Sequence, residues 1–208
     1  LLILQKDYLM AYQLSPRKVK KIKRYCDAVY DNNRKFKVRD NILDSNRTGK
    51  EINLQGLGAE IWFKEKYDIP YTLFEDEENF IPRTYKKDID CIFKNGLKLE
   101  LKQTMYPKGC FFIAAIDHWH KPRKLISDMY VLIVGSFPFY KKDLFISKLD
   151  LVDKYLDRNT NRLCPTIHPK IGKAGYHMEQ DEMYNSFEEA LETDGRRTTT
   201  SEDTSTMS

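Results

Sequence analysis

The chain has only four cysteines in 208 residues, Cys26, Cys91, Cys110 and Cys164, widely spaced and with no C-x-x-C pair. That spacing excludes a disulfide framework and a zinc ribbon, and the four read as reduced thiols of a cytosol-like compartment. No apolar run approaches the ~18 residues of a membrane helix. The opening Leu1-Leu2-Ile3-Leu4 ends at Gln5-Lys6-Asp7. A soluble, non-secreted protein without a membrane partner is therefore expected. A P-loop, a dinucleotide-binding glycine fingerprint and internal repeats are missing too, so nothing points to nucleotide binding or to a solenoid.

What is present suffices for one ordinary core: 41% of the residues are hydrophobic and 32% charged. The net charge of +4 is unevenly spread, with six acids and two arginines in 187–208, a net −4, and +8 on the rest. The folded part is basic and favours an anionic partner. Three parts are expected: a basic helical segment over 1–49 packed on the core, the core over 50–186, and an acidic Ser/Thr-rich tail over 187–208. From Thr193 onward nine of sixteen residues are Ser or Thr, too little apolar surface to offset the entropy of ordering.

Ser15-Pro16 predicts a helix start, with Val19, Ile22, Cys26, Val29 and Tyr30 recurring at helical spacing. The other face carries the charge: ten Lys/Arg lie between Arg17 and Arg39, against Asp27 and Asp31. Cations in the first turn oppose the helix dipole, so local stability does not explain Arg17 and Lys18, whereas a polyanion would. A second helix is expected over 51–67, beginning or bending at Gly56 and Gly58, with Glu60 inside its apolar face.

Strand signals follow at 89–93, then Lys94-Asn95-Gly96 as a turn, then strict alternation over 97–103, which reads as a β-hairpin. Met129 to Val134 fits a buried central strand, with 143–146 pairing back across 138–142 and a short helix over 151–158. The run 111–116 fits either a strand or a buried helix. On the second hairpin strand Lys98, Glu100 and Lys102 share one face, while Asp88 and Asp90 share a face of the first. A carboxylate from each strand can converge near one point. Two carboxylates without sulfur or imidazole suit a hard cation such as Mg2+. A neighbouring ammonium can orient a water and offset charge at a scissile phosphate.

Glu60, then Asp90 (or Asp88), then Glu100-Leu101-Lys102, in that order and separation, resemble the PD-(D/E)xK nuclease superfamily over about residues 50–135. The residue before Asp90 is Ile89, not proline, which leaves the aspartate open between positions 88 and 90. The resemblance implies an α/β fold, a mixed central sheet flanked by helices in a restriction-endonuclease-like αβββαβ core. It implies a metal-dependent endodeoxyribonuclease, of restriction, junction-resolving or mobile-element type, acting on duplex DNA and commonly as a homodimer. Asp90 and Glu100 would ligate Mg2+, or Mn2+ in its place, with the Leu101 carbonyl. Lys102 would position the water, Glu60 would hold a second metal or a metal-bound water, and Gln103 would contact the site from the strand end. A cytoplasmic or nucleoid-associated protein is then expected.

On that reading Arg17, Lys18, Lys20, Lys21, Arg24 and Lys35 contact phosphates, setting affinity and not sequence choice. His118 and His120 of Asp117-His118-Trp119-His120 line the DNA cleft; a zinc role lacks a third ligand, and no ββα-metal spacing follows. Cys164-x-x-x-His168 with His177 reads as a plain loop. Two alternatives stay open: a catalytically silent nucleic-acid-binding module whose acid–lysine cluster is a structural ion pair, and an RNA-processing nuclease of the same fold.

Overall fold

The computed structural model describes residues 12–35, 47–71, 90–93, 96–116 and 124–193. Helix α1 (Pro16–Lys35) starts where Ser15-Pro16 predicts, the Ser15 hydroxyl accepting from the Lys18 N–H at 3.4 Å. Its seam is Ile22 and Cys26, both buried. Helix α2 (Gly49–Lys66) starts before either internal glycine, and this corrects the expectation of a start or bend at Gly56 and Gly58. The reason is a capping box: the Thr48 hydroxyl accepts from Glu51 N, and Glu51 Oε2 accepts from Thr48 N at 2.8 Å. Gly58 is instead a contact point, where a Cβ would lie 2.3 Å from Phe137 Cδ2 and 2.6 Å from the Tyr140 hydroxyl.

The main sheet contains β1 (Cys91–Ile92), β2 (Lys98–Thr104), β4 (Met129–Ser136) and β5 (Phe139–Ser147), in the order β1-β2-β4-β5. β1 pairs antiparallel with β2, β2 parallel with β4, and β4 antiparallel with β5. The protein is thus of mixed α/β class, with parallel and antiparallel strands in one sheet. β4 is central and buried from Met129 to Gly135, which is why it reads as a continuous apolar run. β5 begins at Phe139, not at 143, because the strands turn at Phe137-Pro138 and a bulge follows Val134. Gly135 takes φ +136 there, and a Cβ would lie 2.7 Å from Phe139 O.

Between β2 and β4 the chain forms β3 (Phe111–Ala114), which leaves the main sheet and pairs with β9 (Ala174–Met178) beside β8 (Thr166–Ile167). β3 thus joins a separate sheet, and residues 117–123, where the expected αβββαβ order puts its second helix, lie outside the described residues. Phe111, Phe112 and Ile113 are all buried, a β-prone run that fits a covered strand. Helix α3 (Lys148–Tyr155) starts three residues before the expected 151 because the Ser147 hydroxyl caps Asp150 N at 3.0 Å. It yields after Tyr155 to a short hairpin, β6 (Leu156–Asp157) with β7 (Arg162–Leu163).

Two apolar layers flank the sheet. Met129, Val131, Ile133 and Phe145 pack with α1 and α2; Tyr130, Leu132, Leu144 and Ile146 pack with β3, β9 and α3. Residues 187–193 are helical, and Phe187 and Ala190 are buried in the first layer. The folded part thus continues past the expected boundary at 186, and 194–208 lie outside the described residues. No described helix is long and apolar enough to cross a membrane.

Candidate active site

Asp90 enters the hairpin with its N–H donating to Leu99 O at 3.1 Å, so it extends the β1–β2 ladder. Its carboxylate folds over β2, where Oδ2 accepts from the Leu101 N–H at 2.7 Å. On β2 the alternation works as predicted: Leu99 and Leu101 go into the helix-side core, while Lys102 Nζ lies 2.6 Å from Glu100 Oε1. Glu100 is 5% exposed, a depth at which a carboxylate requires a charge partner.

The fourth residue comes from α2. Burial raises the Asp90 carboxyl above its ordinary value, and the Glu60 charge raises it further; Lys102 and the Leu101 N–H pull it down, and Glu100 adds to the rise. The Glu60 charge also raises the thiols of Cys91 in β1 and Cys26 in α1, after burial in each case. The Asp90 carboxyl thus feels the charges of Glu60 from α2 and of Glu100 and Lys102 from β2. Asp88, the alternative ligand, lies outside the described residues, as do His118 and His120.

The donor set fits a hard divalent cation. Asp90 and Glu100 supply carboxylate oxygens on paired strands, Leu101 carries a carbonyl between Glu100 and Lys102, and a cation would offset the burial and the Glu60 charge that raise Asp90. Cys91 adds no soft donor: burial drives its thiol up to about 11, so it is a protonated apolar group at neutral pH. Gln103 has a structural task, its Nε2 donating to Gly135 O and joining the ends of β2 and β4.

The α1 cations divide into two kinds. Arg17, Lys20, Lys21, Lys23, Arg24, Arg34 and Lys35 are exposed. Lys18 is set apart, since its ammonium pairs with Glu65 of α2, which also accepts from the Tyr12 and Tyr71 hydroxyls. Its place in the first turn, which local helix energetics did not explain, thus has a tertiary partner in α2.

A second cluster was not foreseen. Cys110, His168 and Glu179 bring one donor atom each within 4.8 Å of one another, with Cys110 Sγ 3.0 Å from His168 Nε2. The partner of His168 is thus the distant Cys110 and not nearby Cys164, a pairing that spacing does not reveal. His168 Nδ1 accepts from the N–H groups of Lys170 and Ile171, each at 3.2 Å. Those bonds need a lone pair on Nδ1, so the neutral ring carries its proton on Nε2, aimed at the sulfur. The ring then offers Cys110 no base and a metal no lone pair. Burial, with Glu179 second, raises the Cys110 thiol. The cluster ties the start of β3 to the β8–β9 turn.

No family model matches the chain, and no curated protein or solved structure matches it either.

Proposed function

We propose that the protein is a metal-dependent endonuclease that hydrolyses DNA phosphodiester bonds at the Glu60, Asp90, Glu100, Lys102 site. The observation that carries this reading is the Asp90 carboxylate held on the Leu101 N–H beside the buried Glu100–Lys102 pair, with the Glu60 charge of α2 acting on Asp90. Asp90 and Glu100 would hold Mg2+, or Mn2+ in its place, with the Leu101 carbonyl. The cation, when bound, lowers the pKa of its water and neutralises charge on the phosphate oxygen. Lys102 holds the attacking water in line and balances the charge that grows on the phosphate. Glu60 would hold a second metal or a metal-bound water. The exposed α1 cations neutralise phosphates along the duplex, and the protein works as a homodimer on double-stranded DNA in the cytoplasm or nucleoid. The closed Glu100–Lys102 pair also fits a restriction-endonuclease-like core, here with β3 in the crossover.

One observation favours a second reading. The same 2.6 Å Lys102–Glu100 contact is what a silent structural ion pair looks like, and a nucleic-acid-binding module would need nothing more. The test is supercoiled plasmid incubated with the purified protein in Mg2+ or EDTA, beside Lys102→Ala and Asp90→Ala proteins shown to be folded by circular dichroism. Cleavage lost in EDTA and in both variants supports the nuclease. Plasmid binding without cleavage by any protein, with junctions and single strands also uncut, supports the module. RNA cut in preference to DNA points to the RNA-processing alternative.

A further inference from the structure

We propose that the rim formed by the 104–109 turn and the Phe137-Pro138 turn is a stacking surface for unpaired nucleobases, with Tyr106 and Phe139 as its platforms.

The topology brings the two turns together. β2 and β4 run parallel with Thr104 opposite Val134, so both strands end at the same edge of the sheet, and the Ser136–Phe139 pairing starts β5 there. The Gln103 side chain bonds Gly135 O across that edge. On this rim Tyr106 is 55% exposed and Phe139 is 60% exposed. A single exposed aromatic residue is ordinary, but these two sit on turns that are held in place. Phe137 N donates to Gln55 Oε1 at 2.8 Å and the Tyr140 hydroxyl to Gln55 O at 3.0 Å, which fixes the Phe139 turn to α2. Gly109 N donates to Tyr106 O at 2.9 Å, and Gln180 Nε2 to Gly109 O at 2.6 Å, which fixes the Tyr106 turn. Little ordering entropy then remains to be lost on binding.

The charge around them identifies the occupant. Lys108 is exposed on the first turn and Lys141 and Lys142 are exposed at the start of β5, and neither 103–109 nor 136–142 contains an acid. Aromatic faces interleaved with ammonium groups match bases joined by phosphates, because every base offers a π face and every linkage a negative charge. An apolar protein partner has no use for the lysines. Lys102 stands two residues, about 7 Å, before the end of β2, so the rim adjoins the proposed active site. The location gains its meaning from the nuclease reading; the binding itself does not depend on it.

The test is fluorescence anisotropy with the full chain in EDTA, using a labelled single strand, a duplex with a single-stranded flap, and the blunt duplex. Tyr106→Ala and Phe139→Ala should each weaken single-strand and flap binding by about 5- to 100-fold, while blunt-duplex affinity changes less than about twofold and Phe139→Trp retains binding. Phe139 is 60% exposed, so thermal unfolding of Phe139→Ala should match wild type, and melting curves of both variants separate lost binding from lost folding. Equal affinity of wild type and variants for the single strand overturns the proposal, as does an equal loss on all three probes or no binding of any oligonucleotide. The active-site reading fails separately, by absence of metal-dependent cleavage while the selective loss persists.

Discussion

Replacing Asp90 by Asn should make the protein more stable while abolishing the proposed activity. The Asp90 carboxyl is raised first by burial and then by the Glu60 charge, so at neutral pH its ionised form is held in the folded state at a cost. A carboxyl raised on folding adds stability only at low pH and loses it as pH climbs through the folded-state value. At an effective dielectric of about 20, a like charge within roughly 4–8 Å repels a carboxylate by about 2–4 kcal/mol. Attraction to Lys102 cancels much of this, leaving a net cost on the order of 1–2 kcal/mol. Asn keeps an oxygen to accept from the Leu101 N–H, now 2.7 Å from Oδ2, and removes the charge. Thermal unfolding in EDTA at pH 7.5 should then show Asp90→Asn melting about 2–8 °C above wild type. The advantage should shrink towards pH 4. Mg2+ at ten times its dissociation constant should raise wild-type stability by about 1.4 kcal/mol and leave Asp90→Asn unmoved. A variant that melts at or below wild type at pH 7.5 would refute the electrostatic reasoning.

Three further outcomes follow from the same geometry. Burial pushes the Cys26 thiol up to about 12 and the Cys91 thiol up to about 11, so iodoacetamide on the native protein should alkylate exposed Cys164 first and reach these two only on unfolding, as read by mass spectrometry. Gly58→Ala should cost about 1–3 kcal/mol in a denaturant titration, because the new methyl meets Phe137 and the Tyr140 hydroxyl; helix propensity alone predicts a gain. Burial by itself would raise the Glu65 carboxyl, but bonds from Lys18, Tyr71 and Tyr12 outweigh it and hold the group below its usual value. The stability it adds is complete above a pH of about 4.3 and lost as pH falls through the lower folded value. Glu65→Gln should therefore cost about 1–2 kcal/mol at pH 7, with the gap between the proteins closing at pH 2–3.

The hairpin and its acid–lysine face were legible because they are written locally: alternation over 97–103 puts Glu100 beside Lys102, and Ser15-Pro16 states a helix start in two residues. Elements set by distant contact were less so. Gly58 reads as a helix breaker by propensity, yet it is the place where Phe137 and Tyr140 approach α2, a fact that lies 79 residues downstream in Phe137. The turn at Phe137-Pro138 was expected later because the bulge at Gly135 shifts the register of β5. In the C-terminal region the average composition of 187–208 concealed Phe187, Ala190 and Leu191, spaced as one helix stripe against the core. The Cys110–His168 contact joins residues 58 apart, and no local pattern announces it. The effect of the Glu60 charge on Asp90 rests on α2 packing against β2, which spacing alone leaves undetermined.

The most direct test of the central claim is the single-turnover rate of duplex DNA cleavage in Mg2+ by wild type and by Lys102→Ala, both at saturating protein. Lys102 touches the buried Glu100 carboxylate and is assigned to the attacking water, so its loss should slow cleavage by about 10²- to 10⁴-fold with DNA affinity nearly unchanged. Equal rates for the two proteins, or a wild type that binds the duplex in Mg2+ and leaves every strand intact, would contradict the account.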